Sequence, residues 1–412
     1  MLETYLDSPI TQRRLRTSPA ADHIDAFADW LHVQGYKPVS IHNLLTALAG
    51  WADWMVAAGF PPQNLVPGFE AYRLSAAEER CAHPRHRPRR QSVTAAAIFI
   101  RFLRQQGVLP LPVAPPSASD QWPILGEFRS WMRKHRGVTE TTLDVYQGIL
   151  VGLVDALGDD GHAYSAEALR TFVLNRARPH GNYRAKSIVV AVRAFVRFLG
   201  VTGRCPVGME HALPGFASWQ LASVPRFLAA EDVERVIGSC DGYAFALRDR
   251  AVLLLLARLG LRASEVAQLK FADVDWQNGT ITVSGKGRRQ ESLPLPHEVG
   301  NAILLYLKQG RPALHVPELF TTVLAPLHAL TRAGVTHIVR AALLRAGIKA
   351  PINGAHVLRH SAATTMLRQG ASLAGVGAVL RHRSAMTTAH YSKVDFNLLS
   401  QIAQPWPEVS SC

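Results

Sequence analysis

Six polar side chains in the last third of the chain are of types that could break a phosphodiester bond without a metal: Arg262, Lys286, His356, Arg359, His382 and Tyr391. A tyrosine phenol has a pKa near 10 and needs a base or a cationic surrounding before it can attack. The phosphorus centre under attack gathers negative charge on its non-bridging oxygens. Guanidinium forks match that geometry two bonds at a time, and an ammonium matches it less well. The departing sugar oxygen is a poor alkoxide and needs a proton donor. Two arginines, two histidines, a lysine and a tyrosine can fill these roles. Singly, each has a plainer reading: a surface ion pair for either arginine, a turn for Lys286, packing for Tyr391. The chemical reading needs all six in order.

Local sequence indicates how they are held. Arg262 follows Leu259-Gly260-Leu261, where a loop turns into a helix over 263–270. Lys286 sits in a hairpin tip, between a strand at 279–283, a turn at 284–288 and a returning strand at 290–295. Its Gly-Lys-Gly lacks the earlier glycine and following Ser/Thr of a phosphate-binding P-loop. His356 and Arg359, three apart, share one face of a helix over 356–369. His382 follows an apolar helix, and Tyr391 comes nine residues later. Further helices are predicted over 230–237, 246–259 and 336–346. The class is therefore mainly α with a small antiparallel β-sheet.

The ordered pattern resembles the tyrosine recombinase (phage integrase) family, in particular its compact Xer-like and integrase-like members. It runs Leu-Gly-Leu-Arg262-Ala-Ser-Glu265-Val, Gly-Lys286-Gly, His356-Val-Leu-Arg359-His360-Ser, Leu-Arg381-His382-Arg-Ser and Thr-Thr-Ala-His-Tyr391. The likeness covers about residues 226–400, and the steps of 24 (Arg262 to Lys286), 23 (Arg359 to His382) and 9 (His382 to Tyr391) fit the family. The resemblance implies a site-specific enzyme that cuts and rejoins DNA with neither cofactor nor ATP. It implies that Tyr391 attacks the phosphate to give a 3′-phosphotyrosyl bond and a free 5′-hydroxyl. Arg262 and Arg359 would hold the non-bridging oxygens and His382 would add a third donor. Lys286 would protonate the leaving oxygen, His356 would assist proton movement at the tyrosine, and Glu265 would support the site. It also implies a DNA clamp of helical core-binding and catalytic domains, tetramers on two DNA sites, and a C-terminal segment near 397–404 docking into a neighbour. One departure stands out. The family often has glycine where Arg381 stands, so Arg381 points to a different local turn or an added phosphate contact. Gly375 and Gly377 also weaken the preceding helix, by about 1 kcal/mol each relative to alanine.

The rest of the chain fits a polyanionic partner. Among 412 residues the formal net charge is +14, which favours double-stranded DNA as the partner. Pro/Gly-rich stretches at 110–119 and 206–225 divide the chain into 1–109, 120–205 and 226–412. The first two segments read as weak repeats: Phe27-x-x-Trp30 echoes Phe128-x-x-Trp131, and Phe99 to Leu103 echoes Phe195 to Leu199. By the resemblance, 120–205 would be a SAM-like core-binding domain, 226–412 the catalytic domain, and 1–109 an additional helical DNA-contacting domain. Arginines interleaved with prolines read as exposed loops able to touch phosphates. Arg85, Arg87, Arg89 and Arg90 fall in one such stretch, and Arg184 and Lys186 in another; Arg288 and Arg381 are further candidates. Four cysteines without a C-x-x-C pair suggest neither a zinc ribbon nor a disulfide framework, and no metal is expected among the 17 histidines. The longest apolar run, 251–257, is far below the ~20 residues needed to span a bilayer, so a cytoplasmic location is expected. Two alternatives carry different tests. A type IB topoisomerase would relax supercoils instead of exchanging sites, and a catalytically dead accessory subunit would bind DNA without a covalent adduct. The pattern favours a recombinase or integrase of a mobile element such as a transposon.

Overall fold

The computed structural model describes residues 2–82, 88–112, 116–216, 224–285, 290–382, 384–394 and 399. The first segment holds helices α1 (Leu2–Tyr5), α2 (Pro9–Arg16), α3 (Ile24–Val33), α4 (Pro38–Ala57), α5 (Leu65–Ala82) and α6 (Pro88–Gln105). Proline opens α2, α4 and α6, where a missing N–H costs nothing because the first turn has no intrahelical acceptor for it. The middle segment holds α7 (Ala118–Gln121), α8 (Pro123–Arg136), α9 (Glu140–Leu157), α10 (Ala166–Ala177) and α11 (Asn182–Val201).

These two segments build matching aromatic cores. Phe27 meets Phe99 edge-on at 5.1 Å and Trp30 meets Phe102 at 5.6 Å. In the middle segment Phe128 meets Phe195 edge-on at 5.4 Å and Trp131 meets Phe198 at 5.8 Å. The same four-ring contact from the same sequence pairs shows that the echo lies in packing as well as in spelling.

The last segment contains α12 (Ala230–Gly238), α13 (Ala246–Arg258), α14 (Ala263–Gln268), β1 (Val274–Asp275), β2 (Thr280–Ser284), β3 (Gln290–Pro294), α15 (His297–Leu305), α16 (Arg332–Arg345), α17 (His356–Arg368), α18 (Leu373–Val379) and α19 (Ala385–Ala389). The apolar run 251–257 makes α13 the central helix, because a helix apolar on every side must be buried on every side. Leu253, Leu254, Leu255 and Leu256 are all fully buried, each stabilising by about 1.5–3 kcal/mol. Helices α15, α16 and α17 pack around it. The three strands form one antiparallel sheet in the order β1-β2-β3, with Ile281 opposite Leu293. Ile281 and Val283 face the core while Thr280 and Thr282 alternate away, which sets the register.

Met1–Pro110 and Leu221–Cys412 belong to one compact unit, and Leu111–Gln220 forms a second. Within the first unit, the Leu327 N–H donates to the Gln34 carbonyl at 3.3 Å. This ties the α3–α4 turn to the loop ahead of α16.

The arginine-rich stretches differ from the loop reading. Arg89 and Arg90 lie in the first turn of α6, and Arg184 and Lys186 in the first turns of α11. Pro88 starts its helix instead of breaking one, and Pro179 falls in the short gap before the Gly181 N-cap. Arg184 and Arg90 are exposed and Lys186 is half-buried. Arg85 and Arg87 lie outside the described residues.

Candidate active site

Arg262 is the extended residue just before α14, and its N–H would be left without an intrahelical acceptor. Glu265 supplies one: its Oε2 accepts from the Arg262 N–H at 2.8 Å, and its Oε1 accepts from the Arg262 guanidinium at 2.6 Å. The same carboxylate accepts from the Arg381 guanidinium at 2.8 Å. Burial would raise the Glu265 carboxyl, but the Arg262 N–H and the two guanidinia outweigh it and hold the group below the usual carboxylate range. The Arg262 side chain stays one-third exposed, leaving donor capacity facing outward.

Arg359, on α17, is buried and donates one guanidinium nitrogen to the Gly260 carbonyl and the other to the Leu380 carbonyl. One planar fork therefore fixes two backbones, two residues before Arg262 and two before His382. Burial and the facing Arg262 and Arg381 push it down to about 10, which leaves it cationic at neutral pH. Gly260 has no substitute here. Its φ is +57°, and a Cβ would lie 2.5 Å from Leu380 Cδ2.

Helix α18 ends at Val379 with Leu380 as its cap, and Arg381 takes the left-handed position at φ +55° that glycine usually fills. That turn delivers the His382 N–H to the Gly377 carbonyl at 2.9 Å. Gly377, counted above as a weakness of α18, has a steric reason: a Cβ there would sit 2.8 Å from Thr388 Oγ1. The Thr388 hydroxyl pairs with His382 Nδ1 at 2.8 Å. The His382 ring stacks on Tyr391, with centroids 6.3 Å apart and planes 7° apart. Tyr391 is buried in a 3-10 turn, His390–Val394, against Leu367, Val376 and Leu380. Burial pushes its phenol up, and Arg359 opposes that.

Arg262, Glu265, Arg359, His382 and Tyr391 are thus brought into one linked cluster. His356 is exposed at the start of α17, its ring 6.1 Å from that of His360. Lys286 and Arg288 lie outside the described residues, as does nearly all of 397–404. Arg381 must be corrected: it is no phosphate-reaching surface residue. Its side chain is 2% exposed and is spent on Glu265 and on the Val379 carbonyl at 2.9 Å. A carboxylate already buried at Glu265 needs a second cation, which pulls Arg381 inward. The residue that the motif reading missed is His360, whose Nδ1 lies 2.7 Å from the Tyr391 hydroxyl. Its signal was its place one helical turn after His356. Among the described residues, no group of three His, Cys, Asp or Glu could hold a metal ion, and no helix is long and apolar enough to cross a membrane.

Burial pushes both His360 and His382 down to about 4, with nearby arginines and, for His360, His356 and His390 adding to the effect. Below pH 6.5 an unfolded chain would protonate these rings while the folded chain would not. Their contribution is therefore complete above about pH 6.5 and is lost as pH falls toward 4. The urea midpoint is expected to drop between about pH 7 and 5, before the carboxylates titrate. A midpoint that stays flat across that window would contradict neutral burial of these rings.

A model described as the phage integrase family matches residues 226–397. A Sinorhizobium fredii protein named as an integrase/recombinase, y4rA, is 33% identical over 98% of this chain and 99% of its own length. The tyrosine recombinase XerD of Listeria innocua is 36% identical over 50% of this chain and 70% of its own. Among solved structures, the XerH recombinase bound to its difH substrate after cleavage superposes with TM-score 0.57 at 20% identity, over 75% of this chain and 94% of that one. A λ integrase dimer on a core site gives 0.54 at 16% identity, over 70% and 99%. At such identities the structures speak for the fold.

Proposed function

Because this chain belongs to the phage integrase family of tyrosine recombinases, which cleave and rejoin DNA at specific sites, we propose that it recombines DNA through a 3′-phosphotyrosyl bond to Tyr391. One observation supports this most: the Tyr391 ring lies against His382, and the single Arg359 fork ties the backbone ahead of His382 to the backbone ahead of Arg262. Three phosphate donors and one phenol are therefore positioned by each other. In this reading Arg262, Arg359 and His382 take the non-bridging oxygens. Lys286 protonates the leaving 5′-oxygen, and His356 assists with protons. Glu265 keeps Arg262 aimed. Attack by the 5′-hydroxyl of another strand reverses the chemistry, so bond energy is conserved.

The finer reading is integration or transposition of a mobile element. Full-length similarity to y4rA, which extends through residues 1–109, favours an enzyme built with this N-terminal addition over a minimal core. We take 1–109 and 120–205 as the DNA-gripping helical parts, with Arg90, Arg184 and Lys186 on them. The assembly is taken as a tetramer on two sites in the cytoplasm.

A suicide duplex, nicked so that the cleaved strand end diffuses away, tests the central claim. The protein is expected to form a covalent adduct, and Tyr391→Phe is expected to form none while binding the DNA equally well. An adduct that persists in Tyr391→Phe overturns the assignment. A two-site exchange assay separates recombination from simple relaxation of supercoils.

A further inference from the structure

We propose that His360 is a catalytic residue, the base that takes the proton from Tyr391 during strand cleavage. This rests on Tyr391 being the nucleophile. His360 Nδ1 is 2.7 Å from the Tyr391 hydroxyl, with ring centroids 5.6 Å apart and planes at 50°. That separation is within reach of a proton-transfer hydrogen bond. Tyr391 is 3% exposed, so bulk water does not reach its proton. The other histidines near the phenol are placed differently. His382 stacks flat on the phenol and engages Thr388 through its own Nδ1. The His390 ring lies 6.0 Å away, nearly perpendicular. His356, at the first position of α17, is itself exposed.

The step balances. The Tyr391 O–H bond breaks and its proton passes to His360 Nδ1 while the phenolic oxygen bonds to phosphorus. The bond from phosphorus to the 5′-oxygen breaks, and that oxygen takes a proton from the donor assigned to Lys286. Rejoining runs the transfers backward. The imidazolium faces His356 and Arg359 on α17 and His390 on the tyrosine's turn. This cationic, buried setting keeps the free ring neutral and its Nδ1 lone pair open. The phosphate brought against Tyr391 adds the negative charge that makes protonation favourable as the transition state forms.

The test measures single-turnover adduct formation on the suicide duplex, from about pH 5.5 to 9.5. His360→Asn retains an oxygen near the Nδ1 position, able to accept the phenol's hydrogen bond but unable to take its proton. It is expected to bind DNA normally and to cleave about 10²–10⁴-fold more slowly near neutrality, with the deficit shrinking as pH approaches the phenol's own pKa. His360→Gln gives the same reading should the Asn variant fail to bind DNA. A 5′-bridging phosphorothiolate, whose leaving group needs no proton, is expected to rescue Lys286→Ala but not His360→Asn. Cleavage within about threefold of wild type, a deficit equal at every pH, or phosphorothiolate rescue would each overturn the proposal. A wild-type protein that forms no adduct would instead sink the reading of Tyr391.

Discussion

Replacing Arg359 with lysine is expected to slow adduct formation by about 10²–10³-fold and to lower stability by about 1–3 kcal/mol. Arg359 reaches the carbonyls of Gly260 and Leu380, 99 and 21 residues away in sequence, with two nitrogens of one plane. A lysine ammonium is a single point and can satisfy one of them. The other, buried and unpaired, costs about 1–3 kcal/mol. The loss also frees one of two backbones that must stay in register, the one leading to Arg262 or the one leading to His382. Domain stabilities of about 5–15 kcal/mol leave the variant folded at such a cost, so the rate deficit reports geometry and not unfolding. Urea midpoints and suicide-duplex kinetics measure the two parts. A variant with the wild-type midpoint and rate would show that the fork is dispensable.

What the sequence disclosed, and what it withheld, follows from the range over which each feature is decided. Helix α13 was legible because seven consecutive apolar residues leave few alternatives. The hairpin was legible because its alternation and turn residues are local. The arginine–proline stretches misled because proline was read as a breaker throughout, whereas at Pro88 it occupies the position where a helix tolerates it. Arg262, Arg359, His382 and Tyr391 could be named from their order, since each sits at a fixed place in its own element. His360 could not be chosen over His356. The two are one turn apart on α17, and the packing of the 390–394 turn decides which meets the phenol. Arg381 lay still further out of reach, because its partner, Glu265, is 116 residues away.

Arg381→Gly, the change that restores the residue common in the family, is expected to destabilise this protein by about 1–3 kcal/mol. Two effects compete. At φ +55° the arginine backbone is strained by about 1–2 kcal/mol, which glycine would relieve. Against this, the Arg381 and Glu265 side chains are 2% and 3% exposed, and removing one member of such a pair costs about 3–5 kcal/mol. The larger figure wins, reduced by the relief of strain and by the bond that Glu265 keeps to Arg262. Glu265→Ala is expected to cost more, because it leaves the Arg381 charge buried without its carboxylate and takes from Arg262 both the 2.8 Å cap and the 2.6 Å guanidinium contact. The double variant should lose less than the sum, by more than about 1 kcal/mol, since the second change removes a group the first had already stranded. Both single variants should also cleave DNA slowly, as the carboxylate that seats Arg262 is the one that holds the turn before His382. Additive losses in thermal or urea unfolding would mean that the two side chains are not coupled, and an Arg381→Gly protein that melts above wild type would mean that backbone strain outweighs the pair and that the arginine is tolerated, not required.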